Sequence, residues 1–124
     1  PSDILVPKNV HVLGNVPQSE LVAFYNDHKY YFQLSMFEGF PNALCEAMLC
    51  GCVPIGSQVA AIPEIIAGEG YILTTKDLDR LSALIESANG EEKDPRDQVK
   101  SNFPIERRTR ELLLEINRLY GERK

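Results

Sequence analysis

The sequence predicts an α/β fold with a mainly parallel sheet and flanking helices, and two observations carry this prediction. The stretch Tyr30–Ser57 has the order strand, glycine-containing loop, helix and strand, which is the order of a βαβ unit. A further strand pattern at Tyr71–Leu73 follows a short helical pattern, so strands and helices continue to alternate. A chain of 124 residues, 44% hydrophobic and 25% charged, is long enough for one such domain with its own core.

The first elements are predicted from apolar spacing. A short strand is expected at Val10–Leu13, closed by Gly14. Pro17–His28 is typical of a helix, because apolar residues recur at i, i+3 and i+4. Lys29–Ser35 follows as a strand, and we interpret its aromatic residues Tyr30–Phe32 as core rather than as a stacking surface.

The helix at the centre of the chain has signals at both ends. Pro41 fits the first turn, where its fixed φ suits the helix and its missing N–H is not needed. Asn42–Leu49 is then predicted to be helical, with Gly51 in the position of a C-terminal glycine cap. Val53–Ile55 is expected to form the next strand, which Gly56–Ser57 ends.

Similar signals of apolar period, capping and proline or glycine breaks predict the remaining elements. These are a short helix from Pro63, the strand Tyr71–Leu73, a helix capped by Thr74–Thr75 that runs to about Ser87, a charged connection over Glu91–Asp97 that is a solvated loop or short helix, and a last helix from Pro104 to a stop at Gly121. We therefore expect residues 1–124 to form a single domain, with its core in 10–88 and a helical segment over 91–120.

Composition excludes several classes of protein. The net charge of −5 argues against general nucleic-acid binding. The sequence contains no run of eighteen apolar residues, so no transmembrane helix is expected, and its polar start does not resemble a signal peptide. The chain also starts without Met, so we expect it to be a piece of a longer one. Cys45, Cys50 and Cys52 fit no usual zinc spacing, which favours free thiols in the cytoplasm and no bound metal.

The start of the central helix is a candidate anion site. The backbone N–H groups of Asn42, Ala43 and Leu44 fall in the first helical turn, where partners within the helix are missing. Together with the helix dipole they suit a phosphate. Gly39, in the preceding loop, lets the backbone come close to a ligand.

Two carboxylates flank this candidate site. Glu46 lies about one turn along the helix, and a carboxylate there can accept two hydrogen bonds from the vicinal hydroxyls of a ribose. Glu38 lies on the loop side, where a second hydroxyl-bearing group can sit. An anion site between two carboxylates suggests a nucleotide joined to a sugar, although a purely structural glycine loop before a helix has the same spacing.

The residues themselves resemble a known signature. Glu38–Met48, EGFPNALCEAM, followed by CGCVPIGS, is similar to the E-x7-E motif of retaining GT-B glycosyltransferases, glycosyltransferase family 4 in particular. Three further segments of this chain also resemble the family: VHVLGNV at Val10–Val16, IPEII at Ile62–Ile66 and GYIL at Gly70–Leu73. The resemblance implies a Rossmann-like fold and makes this chain part of the C-terminal domain.

The resemblance also implies roles for individual residues. Glu46 would bind the ribose of a nucleotide-sugar donor, and Glu38, the candidate catalytic residue, would contact and orient the donor sugar. Backbone amides for the sugar and diphosphate would come from Gly39, Phe40, Asn42, Ala43 and Leu44, and the loop Gly14, Asn15 and Val16 would lie near the base.

The implied enzyme transfers a hexose from a UDP- or GDP-sugar to a glycan or lipid-linked acceptor, with retention and without a metal or other cofactor. Its place would be polysaccharide biosynthesis in the cytoplasm, with peripheral association at the inner membrane surface left open. The acceptor would be bound by an N-terminal domain that this chain lacks, so we expect the chain alone to be inactive.

The chain departs from the family at its start. Two strand–helix units and the basic residues that neutralise the diphosphate have no counterpart, since Lys8 does not fit their pattern. In a sheet of order 3-2-1-4-5-6, the Val10–Leu13 strand would be separated from Tyr30–Phe32 by two strands that this chain lacks. Either these two strands pair directly or another molecule covers the exposed edges, and we predict a dimer or another rearranged edge.

Two other functions stay open from the sequence. One is a non-catalytic nucleotide-binding module or inactive fragment, and the other is a GT-B epimerase that releases free UDP without an acceptor. Glycoside hydrolysis also uses two carboxylates, but it is disfavoured because Glu46 is placed for a ribose and the amides favour an anion.

Overall fold

The computed structural model describes residues 5–104, 110, 113, 114, 116–119 and 121. Within them the chain forms, in order, α1 (Gln18–Asp27), β1 (Tyr30–Gln33), α2 (Asn42–Leu49), β2 (Val53–Ser57), α3 (Ile62–Ile66), β3 (Tyr71–Leu73), α4 (Leu78–Asn89) and α5 (Arg96–Asn102).

The sheet has three strands in the order β1-β2-β3, and both pairs are parallel. Tyr30 pairs with Val53, and Ile55 pairs with Tyr71 on the other side of the central strand. All five residues of β2 are buried, as expected for a strand with neighbours at both edges and helices packed against it. This arrangement confirms the predicted α/β, Rossmann-like fold.

Helix α2 has the predicted bounds, and its ends show why. Pro41 is the N-cap residue, and Gly51 follows the helix with φ of +91°, a conformation that glycine adopts without steric cost. The N–H of Gly51 donates to the carbonyl of Met48, and the N–H of Cys52 donates to that of Ala47, both at 3.0 Å. This pair of bonds is a Schellman motif, which stops the helix and turns the chain into β2.

The core lies where α2, α3 and α5 meet. Its buried members are Leu44, Cys45, Met48, Ile62, Ile65, Ile66, Val99 and Phe103, with Tyr31 and Ile72 of the sheet packed against them. The inner face of α2 therefore packs against α3, α5 and the sheet. Its first turn is held at the end of the loop that follows β1, where the site was predicted.

The cysteines belong to this packing. All three are free thiols, with Cys45 and Cys52 buried and Cys50 half-buried, which confirms the predicted free thiols. The Cys52 thiol donates to the carbonyl of Tyr25 at 3.0 Å, and burial raises its pKa. It therefore acts as a small hydrogen-bonded core residue.

The predicted strand at Val10–Leu13 is wrong. These residues have no strand pairing, and the side chains of Val10, Val12 and Leu13 are about half exposed or more. A strand persists only where a neighbour satisfies its backbone groups, and the described residues supply none here. The interpretation of Tyr30–Phe32 as core is wrong for Phe32, which is 45% exposed, while the two tyrosines are half-buried.

In the C-terminal half, two predictions are wrong and a third is made more specific. Asp77, not Thr74–Thr75, caps α4, because its carboxylate accepts from the N–H of Asp79 at 2.9 Å. Of the loop or short helix expected over Glu91–Asp97, the structure has both: a loop to Pro95, and then α5, which buries Val99. The last helix falls partly outside the described residues, but Gly121, its predicted stop, is itself helical.

None of the helices in the described ranges is both long and apolar enough to cross a membrane.

Candidate functional site

The loop between β1 and α2 carries the predicted site, and the structure fixes both of its ends. At its start, the buried Ser57 donates from Oγ to the carbonyl of Ser35 at 2.7 Å. At its end, the Phe40 ring packs against Phe103, with 6.0 Å between the ring centroids. The central strand and the end of α5 therefore hold the loop in which Glu38 lies.

Glu38 is held by a residue that the sequence interpretation did not single out. Gln33, the last residue of β1, donates from Nε2 to Glu38 Oε2 at 3.0 Å and to Ser35 Oγ at 2.9 Å. Both bonds are half-buried, where a hydrogen bond to a carboxylate is stronger than in open water. A polar residue in an otherwise aromatic strand was the available signal.

Glu46 is held by a second glutamine. Gln18, at the start of α1, donates from Nε2 to Glu46 Oε2 at 2.9 Å. The predicted base-side residues Gly14, Asn15 and Val16 form the loop that leads into this helix, with Gly14 at φ +64°. Because Val16 is two residues before Gln18, the contact brings the end of that loop towards Glu46.

Tyr31 is influenced electrostatically by both carboxylates. Burial raises its pKa to about 12, with further contributions from Tyr25, Glu38 and Glu46. The negative charge of each carboxylate disfavours the phenolate, so both glutamates affect the same phenol. Its ring also packs edge-on against Tyr25, at 5.8 Å between centroids. The sequence interpretation had placed Tyr31 in the core and had given it no part in the site.

The helix amides have partners that the sequence did not indicate. The N–H of Asn42 donates to the carbonyl of Phe40 at 3.0 Å, and that of Leu44 donates to Pro41 at 3.1 Å. The three amides were expected to lack partners within the helix, and two of them donate instead to carbonyls that precede it. Pro41 closes a tight first turn that uses them. Within the described part of the chain, the amide of Ala43 makes no such backbone bond.

Gly39 lies in open space. A Cβ atom added there would meet nothing within 4 Å, and its φ lies outside the left-handed region. The protein's own packing therefore gives no reason for glycine at this position.

A neighbouring pocket of about 210 Å³ opens at the same edge of the sheet. It is lined mainly by aliphatic side chains from the strand ends and α4, among them Leu34, Leu73 and Leu81. None of its lining residues is a predicted site residue. No three His, Cys, Asp or Glu side chains of the described residues come together as a metal-binding group.

A parallel α/β domain with polar side chains gathered beyond the carboxyl end of a strand is of the class that binds ligands at that edge. The sequence places the chain more narrowly. Residues 3–103 match the family described as Glycosyl transferases group 1. The chain belongs to this family.

Individual relatives agree with that membership. The chain is 33% identical over 76 residues to O-antigen chain mannosyltransferase B of Escherichia coli, covering 61% of this chain and 20% of that protein. It is 32% identical over 75 residues to serotype-specific mannosyltransferase WbdA of Escherichia coli, covering 60% and 9%. A phosphatidylinositol N-acetylglucosaminyltransferase subunit from Arabidopsis thaliana is 29% identical over 79 residues, covering 64% and 18%. The matched part thus spans a fifth or less of each relative.

Proposed function

We propose that this chain is the donor-binding part of a glycosyltransferase, within the C-terminal domain of a retaining GT-B enzyme of family 4. Glu46 accepts hydrogen bonds from the ribose of a nucleotide-sugar, and Glu38 contacts and orients the sugar. The amide of Ala43 and the positive end of the α2 dipole attract the diphosphate between them. Gly39 leaves room for the sugar beside the backbone.

The observation that carries the proposal is that each of the two carboxylates accepts a hydrogen bond from a glutamine, Glu38 in a half-buried place and Glu46 in an exposed one. Each carboxylate has one oxygen occupied by a glutamine amide, at 3.0 Å for Glu38 and 2.9 Å for Glu46. Acceptor groups held in place recognise hydroxyl donors at little cost in side-chain entropy. Two such groups, one before and one after a helix N-terminus, match a ligand with hydroxyls on both sides of an anion.

The chemistry asked of these residues is mainly electrostatic. When the bond from the sugar to the diphosphate breaks, negative charge grows on the departing phosphate, and the α2 dipole stabilises it. Basic residues from another part of the enzyme would complete that site. Neither Glu38 nor Glu46 acts as a general base in this scheme.

The family suggests the classes of donor and acceptor but not the individual substrates. We propose a UDP- or GDP-linked hexose as donor and a glycan or lipid-linked acceptor, bound by a separate N-terminal domain. Three of the relatives above carry names for mannose or N-acetylglucosamine transfer, and those sugars are the first to try.

The first experiment is a titration of this chain with UDP and with GDP, followed by backbone amide chemical shifts. We expect saturable shifts centred on Asn42–Glu46 with one of the two nucleotides, and loss of those shifts in Glu46→Ala. The matched control is Glu64→Ala, which removes an exposed carboxylate from the first turn of α3. No saturable shift with either nucleotide, or unchanged binding in Glu46→Ala, would overturn the proposal for this chain.

A further inference from the structure

We propose that Gln33 is a positioning residue that aims Glu38 at the donor hexose, and that Tyr31 fixes the orientation of the Gln33 amide. This inference rests on the proposed function, because it assigns the sugar side of the site to Glu38. It adds two side chains of β1 to the candidate site.

The hydrogen bonds run in one direction along the strand. The Tyr31 hydroxyl donates to Gln33 Oε1 at 2.6 Å. With the carbonyl end of the amide facing Tyr31, the nitrogen end faces the loop, where it donates to both Ser35 and Glu38. A flipped amide would place Nε2 against the hydroxyl and turn an acceptor towards the Glu38 carboxylate, which itself can only accept.

The Tyr31 hydroxyl can donate to Gln33 only while the phenol is protonated. A tyrosine phenol keeps its proton at neutral pH even at its ordinary pKa, and burial, which raises the pKa of Tyr31 to about 12, extends this range to alkaline pH, so the hydroxyl remains available as a donor. A phenolate could only accept, and the amide would lose the interaction that fixes its orientation.

The position of Gln33 explains why Glu38 needs it. Glu38 lies in a loop whose neighbours Met36 and Phe37 are 67% and 88% exposed, so packing gives little support on that side. Gln33 lies on β1, whose pairing with β2 is regular, and the register places it opposite Gly56. A rigid strand thus holds one carboxylate oxygen, Oε2, and the other can accept from a sugar hydroxyl.

Substitution of the two glutamines is expected to have different effects on ligand binding, and this difference separates a positioning role from simple support of the fold. Gln33→Leu removes the bonds to Glu38 while keeping a side chain of similar size. We expect it to weaken binding of a nucleotide-hexose about tenfold, the loss typical of a hydrogen bond to a charged group, and to leave UDP or GDP binding unchanged. Gln18→Leu releases Glu46 instead, and should weaken the nucleotide and the nucleotide-hexose by the same factor.

The measurement is calorimetric titration of this chain and both variants with UDP, GDP, UDP-glucose, UDP-N-acetylglucosamine and GDP-mannose. An equal loss for nucleotide and nucleotide-hexose in Gln33→Leu would overturn the inference and leave the proposed function standing. Absence of nucleotide binding by the unchanged chain would instead overturn the proposed function. If a nucleotide binds but none of the hexoses adds affinity, the sugar role of Glu38 falls, and this inference falls with it.

A ligand-free measurement tests the network itself. The side-chain NH2 resonances of Gln33 should move in Tyr31→Phe and again in Glu38→Ala. Gln98 is the internal control, because its Nε2 donates to the carbonyl of Ile65 at 3.3 Å and makes no bond to Tyr31, Ser35 or Glu38. Resonances of Gln33 that stay in place in both variants would contradict the proposed orientation.

Discussion

Tyr31 ties the chemistry of the site to the stability of the fold. Its hydroxyl donates into the site, and its ring packs against the core. Because burial raises its pKa to about 12, the folded protein favours the neutral phenol more than the unfolded chain does. This preference stabilises the fold fully below pH 10, the ordinary pKa, and is lost as the pH rises from about 10 towards 12.

We therefore expect the free energy of unfolding to fall between pH 9 and pH 11.5 through this one group, by on the order of 1 kcal/mol because solvent screens a phenol that is only partly buried. Tyr31→Phe should start from a lower stability, because it loses the bond to Gln33, but should decline less steeply over the same range. Denaturant titrations at a series of pH values measure both slopes. Parallel slopes for the two proteins would contradict the assignment; Tyr25 and Tyr71, whose pKa values burial also raises, remain in both.

At the level of elements, the contact between β2 and α3 depends on Gly56. A Cβ atom at this position would overlap with the Ile62 side chain and would lie 2.9 Å from Ile66 Cδ1. Both isoleucines are fully buried and have no room to move aside. The glycine therefore sets how closely α3 packs on the strand.

Gly56→Ala is expected to lower the free energy of unfolding by about 1–3 kcal/mol, the usual cost of overpacking a core. Gly39→Ala is the matched control, because open space surrounds that glycine, and its stability should change by less than about 0.5 kcal/mol. Chemical unfolding of the two variants measures the difference. Equal stabilities would show that α3 can shift at no cost.

The elements that could be predicted from the sequence are those with local signals. Pro41 and Gly51 mark the ends of α2, and the apolar run at Tyr71–Leu73 marks β3, so their bounds agree with the structure. The strand expected at Val10–Leu13 failed because a strand depends on a partner that no local pattern reports. The predicted N-cap of α4 was wrong by only two or three residues, because Asp77 and the nearby Thr74 and Thr75 are all residue types that favour this position.

For the candidate site, the sequence predicted the two carboxylates but not the side chains that contact them. Glu38 and Glu46 stood out through their spacing and through the resemblance of the residues between them. Gln18 did not, because its contact with Glu46 joins residues 28 positions apart. Gln33 and Tyr31 were overlooked because a strand of aromatic residues is usually core, and side-chain hydrogen bonds along a strand leave no pattern in sequence.

At the scale of the whole molecule, the sheet has an open edge at β1. The carbonyls of Lys29 and Gln33 accept from Val53 N–H and Ser57 Oγ, so these residues face β2. Backbone groups alternate along a strand, and those of Tyr30 and Phe32 therefore point away from the sheet. Among the described residues β1 has no second neighbour. Such an edge invites pairing with another strand.

We accordingly expect this chain, on its own, to form a dimer through β1, with an association that grows with concentration. Phe32→Lys should weaken it, because a charged side chain in place of one that is 45% exposed opposes close approach of a second edge. Phe24→Lys is the matched control, since it places the same charge at a 38% exposed phenylalanine on α1. Sedimentation velocity over a range of concentrations separates the outcomes. A strictly monomeric chain would overturn the predicted dimer. Equal weakening by both lysines would show that the copies join elsewhere, because only Phe32 lies on the strand whose backbone groups are exposed.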